Sequence, residues 1–138
     1  MTGGVDRNEG KLTVIVYDRG ASIPATLPHS KHWGKIKRAL STLYPFEVAN
    51  SGERDSVSLR LAMSRGQSST GLEKHGKGLK VLKRVVDVCE KGRLQVISRY
   101  GQCIYQSGKK VQFEQMSAPL QGTLIQWDLW RPEWKATR

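Results

Sequence analysis

Six consecutive residues, Leu12-Thr13-Val14-Ile15-Val16-Tyr17, constrain this chain more than any others. They are β-branched, aliphatic or aromatic throughout, so a strand built from them is apolar on both faces and belongs inside a sheet. Asp18-Arg19-Gly20 ends the run with a turn signal, and Ile23-Pro24 continues extended, as a residue before proline prefers. A length of 138 residues allows one ordinary domain around this strand. With 38% hydrophobic and 25% charged residues the composition is globular, not disordered or collagen-like.

The rest of the chain supplies helices first and strands last. A basic helix is expected from about Ser30 to Tyr44, with Ser30 as N-cap and Trp33, Ile36, Leu40 and Leu43 on one stripe. Pro45 to Arg54 reads as a loop. Asp55 caps a short helix carrying Val57, Leu59, Leu61 and Met63 and closed by Gly66, and the polar stretch from Gln67 to His75 reads as another loop. The clearest helix opens after Gly76-Lys77-Gly78: Leu79, Leu82, Val85, Val86 and Cys89 recur at three and four, and Gly92 stops it. Strands follow at Arg93–Arg99 and Gln102–Ser107, joined by a Tyr100-Gly101 hairpin, then at Lys110–Glu114 and Thr123–Trp130, where Ile125, Trp127 and Leu129 share a face. This order implies an α+β fold, a two-layer sandwich of helices over one face of a mixed, largely antiparallel sheet.

Lysine and arginine number 23 against 12 acids, a net charge of +11 that favours polyanionic partners: nucleic acid, nucleotide phosphates or an acidic protein surface. Most of these charges are scattered and suit a solvated surface, with local density at Lys31–Arg38 and Lys74–Arg84. No apolar run approaches the ~20 residues a bilayer span needs, and Met1 to Lys11 lack a signal-peptide core, so a cytoplasmic chain with no membrane contact is expected. Cys89 and Cys103 lack metal-ligand spacing and read as reduced thiols. His29 and His32 stand three apart, but no carboxylate joins them, so no metal site is read. Trp127, Trp130 and Trp134 read as core aromatics plus a tail, not as a base-stacking platform. No Ser/His/Asp or Cys/His set emerges from spacing, and no catalytic residue is assigned.

Three segments carry the functional signal together: Asp18-Arg19-Gly20-Ala21-Ser22 after the buried strand, Gly76-Lys77-Gly78-Leu79 where a loop becomes a helix, and Gly122-Thr123 opening the last strand. Paired glycines before a helix leave bare N–H groups at its positive end, an arrangement that accepts phosphate oxygens. In order and context the set resembles the nucleotide-binding domain of the GHKL ATPases, nearest to the histidine-kinase-like ATP-binding domains of bacteria. Asp18, Gly20 and Ser22 stand at the Asp-x-Gly-x-Gly box, Gly76, Gly78 and Leu79 at the glycine-rich lid end, and Gly122 and Thr123 at the final Gly-Thr box.

The resemblance spans about residues 11–130 and implies a role for each position. Asp18 would accept a hydrogen bond from the adenine amino group, Gly20 would let the backbone approach the base, and Thr123 would complete that contact. Gly76 and Gly78 would turn N–H groups to the phosphates, with Lys77, or Lys74 and His75, adding charge. Residues 25–75 would form a lid-like insertion, between a leader at 1–10 and a tail at 131–138. Two departures stand out: Ser22 replaces the second glycine of the first box, and Lys74 stands where the lid-end box expects a first glycine. The family's magnesium ligand is an asparagine on a helix before the first strand. Ten residues precede Lys11, so that helix is not expected here.

The expectation is therefore a truncated or degenerate GHKL-type domain with a regulatory or signalling role, binding ATP weakly, without Mg²⁺ and without hydrolysis. A homo-oligomer or protein partner is expected over the face the absent helix would cover. Two alternatives belong to other classes: an interaction module that kept the scaffold and lost the nucleotide, and a basic nucleic-acid-binding protein.

Overall fold

The computed structural model describes residues 1–20, 22–23, 55–56, 58–60 and 78–137. They form a four-stranded sheet with a helix against it: β1 (Thr2–Asp6), β2 (Lys11–Asp18), α1 (Gly78–Asp87), β3 (Lys91–Gln106) and β4 (Gln112–Trp130), closed by a 3-10 turn at Pro132–Trp134. The spatial order is β1-β2-β4-β3, and every neighbouring pair is antiparallel.

The expected two-layer α+β sandwich is corrected by this architecture. The described chain is mostly antiparallel sheet, and its helical parts are short. Four expected strands merge into two long ones because the tail's glycines do not turn the chain where expected. Gly101 lies within β3, where an added Cβ would stand 2.7 Å from the Asp55 carbonyl oxygen. It permits close approach to the helical residues 55–56. The reversal comes instead at Gly108, with φ +72°. Gly92, expected to stop the helix, also lies in β3; a Cβ there would stand 2.8 Å from Val86 Cγ1. The helix itself ends earlier, at Asp87. The helix expected at 30–44 lies outside the described residues. Of the one expected from Asp55, residues 55–56 and 58–60 are described and helical.

Strand β2 lies between β1 and β4, an interior position as its composition demands. Its neighbour β1 arises from residues read as a leader. Asp6 Oδ1 accepts the N–H groups of Asn8 at 2.9 Å and Glu9 at 3.2 Å. That fixes the turn sending β1 back along β2. Gly10, at φ +66°, completes the turn. The tail is tied to it: Arg131 N–H donates to the Gly10 carbonyl, and Ala136 N–H to that of Arg7, each at 3.0 Å.

Pairing register sorts the side chains onto two faces. Leu94, Val96 and Leu129 join Val86, Leu59, Cys103 and Tyr105 in a buried core, with Ile125, Trp127 and Leu82 packed on it. Trp127 Nε1–H donates to the Leu82 carbonyl at 3.2 Å and Tyr105 O–H to Asp87 Oδ1 at 2.5 Å, pinning α1 to the sheet. The bond to Asp87, helped by burial, raises the tyrosine's pKa. Burial pushes the Cys103 thiol up to about 12, against an opposing Lys83 charge, so it is an inert core thiol. Cys89 is half-buried, and neither cysteine is in a disulfide.

Opposite the core, β2, β4 and β3 align side chains in cross-strand rows: Lys11–Trp130–Lys91, then Thr13–Asp128–Arg93, then Ile15–Gln126–Gln95. None of these belongs to the core cluster.

Candidate functional site

Strand β2 ends on Asp18, and the register sets Asp18 opposite Thr123 of β4. Two of the three segments singled out in the sequence thus meet at one end of the sheet. They meet closely: Gly122 has φ +92°, and a Cβ there would overlap the Asp18 carbonyl. The exposed Asp18 carboxylate accepts the Gly20 N–H through Oδ1, an Asx-type turn that fixes the chain leaving the strand.

Thr123 is held from its other side. Its hydroxyl lies 3.0 Å from that of Ser98 on β3. The fully buried Ser98 Oγ also accepts the Ile23 N–H at 2.9 Å and reaches the Gly122 carbonyl at 3.4 Å. Tyr17 O–H donates to the Gln121 carbonyl at 2.7 Å. These bonds secure an irregular stretch of β4. From Ser98 to Gly101, β3 advances three residues while β4 passes from Thr123 to Gln115, eight residues, and the register slips on either side of Arg99.

The slack bounds a cavity of about 570 Å³ lined by Gly20, Ser22, Arg99 and residues 119–122, within the ~300–1,000 Å³ of small-molecule sites. Asp18 does not line the cavity but is bonded to Gly20, which does. Arg99 was not anticipated from the sequence. It has φ +53°, uncommon for a residue with a side chain. Asp55, 2% exposed, holds it there: Oδ2 accepts the Tyr100 N–H at 3.0 Å and lies 3.4 Å from Arg99 Nε. The signal for this was present in Ser98-Arg99-Tyr100-Gly101 as a turn-like tetrad, but a bulge and a hairpin are alike at that level.

Asp55→Ala is expected to cost about 2 kcal/mol, since it strands the part-buried Tyr100 N–H while Arg99 keeps access to water. Asp55→Asn, which retains an acceptor, should cost about half. Urea unfolding of the two variants reads the difference; equal losses would mean that the bond to Tyr100 contributes nothing.

Gly78 and Leu79 open α1. Gly76 and Lys77, with Lys74 and His75, lie outside the described residues, so the expected phosphate-binding loop is not brought to this cavity by any described contact. Among the described residues no group of three or more His, Cys, Asp or Glu could hold a metal, and no helix is long and apolar enough to cross a membrane.

Comparison with protein-family models, with curated proteins and with solved structures finds no match. The functional reading rests on the residues.

Proposed function

We propose that this chain is an adenine-nucleotide-binding domain of the GHKL kind, regulatory in role and without hydrolysis of its own. The observation that carries the reading is the alignment of Asp18 with Thr123, with Gly122 pressed on the Asp18 carbonyl beside a ligand-sized cavity. A carboxylate at a strand end, one oxygen occupied by Gly20 N–H, leaves its second oxygen to accept from an exocyclic amine. Adenine offers that amine and guanine offers a carbonyl in its place, so the same carboxylate discriminates between them.

The donor set fits the base better than the phosphates. Gly20 and Gly122 allow close approach at the cavity wall, the buried Ser98 hydroxyl fixes that of Thr123 next to Gly122, and Arg99 supplies a cation at the wall. Phosphate contacts would fall to Gly76, Lys77 and Gly78, an assignment resting on the sequence motif. Bound nucleotide would supply the polyphosphate charge that the net +11 of the chain complements.

Isothermal titration tests the reading. ATP is expected to bind more tightly than GTP, and Asp18→Ala to weaken ATP binding by about 10-fold, the worth of one hydrogen bond to a charged group. Binding of GTP as tight as ATP, or ATP binding indifferent to Asp18, would refute it.

A further inference from the structure

We propose that the sheet face opposite the core binds single-stranded nucleic acid, through Trp130 and the cations around it. This surface is separate from the nucleotide cavity: Trp130 and Thr123 lie seven residues apart on β4, roughly 24 Å at strand rise.

Register made this surface. Trp127 and Trp134 pack on the core, but Trp130 falls on the other face, in a row with Lys11 and Lys91. The two ammonium groups stand 5.1 and 5.2 Å from its ring centroid. Beside it a cavity of about 200 Å³ is lined by Lys91, Arg93 and Lys109, together with Ser107, Trp130 and a single acid, Glu90. Among the described residues no carboxylate forms an ion pair with Lys91 or Lys109. Arg93 shares its charge with Asp128 at 3.9 Å, which leaves Lys91 and Lys109 against Glu90; on a chain of net charge +11 these two exposed cations form a cradle for phosphodiesters. The indole is covered by two ammonium groups, so a base stacks on it by displacing one of them, and the displaced Lys91 ammonium is then free to meet the adjoining phosphate.

Single strands fit better than the other polyanions. Base pairing in a duplex hides the faces that an indole would stack on. An acidic protein would use the lysines but gives the bracketed indole no role. A lipid surface calls for apolar side chains among the cations, whereas the row next to Trp130 is Thr13–Asp128–Arg93, and Ile15, Leu124 and Ile97 lie only in the rows beyond it.

The test is fluorescence anisotropy of the full chain with a labelled oligothymidylate over a range of salt, repeated with a duplex and with phosphatidylserine vesicles. Lys91→Ala/Lys109→Ala removes two exposed cations and is checked for folding by its thermal melt. It should lower the slope of log K against log salt by about 1.4, at ~0.7 per phosphate contact. Trp130→Leu should weaken binding about 10-fold, the scale of one stacked base. Lys83→Ala/Arg84→Ala, the same charge change on α1, which packs on the core side of the sheet, should leave the slope unaltered. The proposal is overturned by equal slopes for parent and Lys91/Lys109 variant, by an equal loss in the Lys83/Arg84 control, or by retention of duplex or vesicles in preference to the single strand.

Discussion

Gly122→Ala is expected to destabilise the chain by about 4 kcal/mol, a large part of the ~5–15 kcal/mol that holds a typical domain folded. Two effects combine. The backbone at φ +92° disfavours any side chain, and the new Cβ would overlap the Asp18 carbonyl, which belongs to a strand and cannot rotate away. Gly108→Ala separates the two. Gly108 shares the left-handed conformation, at φ +72°, but has nothing within 4 Å of its Cβ position. Its substitution should cost about 1 kcal/mol, from conformation alone. In thermal melts the difference corresponds to roughly 10–15 °C for a domain of this size. Equal shifts for the two variants would mean that β2 and β4 part easily at this end, and the alignment of Asp18 with Thr123 would lose its rigidity. A Gly122 variant that still folds should also lose selectivity for ATP over GTP, because the carboxylate moves with its carbonyl.

That glycine also shows what the sequence could and could not disclose. Strand β2 was legible because six consecutive β-branched, aliphatic or aromatic residues leave few places but a sheet interior, and Asp18-Arg19-Gly20 marks its end. The core face of α1 was legible in part: Leu82 and Val86 recur at helical spacing and reach the core, whereas Val85, placed on the same stripe, is exposed. Strand β1 was not. Thr2-Gly3-Gly4-Val5-Asp6 has one aliphatic residue and two glycines, and becomes a strand only because β2 offers a free edge. The long strands were misread for a related reason: a glycine that turns the chain and one that admits a neighbour are the same letter. Gly92 and Gly101 serve Val86 and Asp55, contacts made across the fold.

The candidate site divides in the same way. The association of Asp18 with Thr123 was anticipated from strand order, and the register sets them opposite each other. Arg99 and Asp55 were not anticipated, since their ion pair joins positions 44 residues apart and rests on a register slip with no sequence marker. Trp130 was grouped with Trp127, yet an odd spacing of three along a strand sends the two rings to opposite faces. Periodicity read to the end of β4 would have separated them.

The second large effect is expected at Asp128, the buried acid in the row next to Trp130. Burial by itself would raise its pKa. Hydrogen bonds from Thr13 Oγ1 at 2.7 Å and Gln126 Nε2 at 2.9 Å, with the Lys11 ammonium at 3.4 Å, outweigh that and hold it below the ordinary carboxylate range. Arg93 approaches from the far strand at 3.9 Å, so one carboxylate ties β2, β4 and β3 together. Asp128→Ala is expected to cost about 3 kcal/mol, the low end for a buried pair broken from one side, because Lys11 and Arg93 are each about a third exposed and regain water. The pH dependence has a definite sign. A folded-state pKa below the unfolded value means that the ionised group stabilises the fold: the contribution is complete above the unfolded value of about 3.9 and is lost as pH falls through the lower folded value. Asp128→Asn removes that titration while keeping an acceptor for Thr13. Urea unfolding from pH 7 to pH 2 should therefore show a constant gap between parent and Asn variant down to about pH 4, closing below it. A gap unchanged at the acid end would show that Asp128 titrates alike in the folded and unfolded chain, and that its four partners hold it by shape and not by charge.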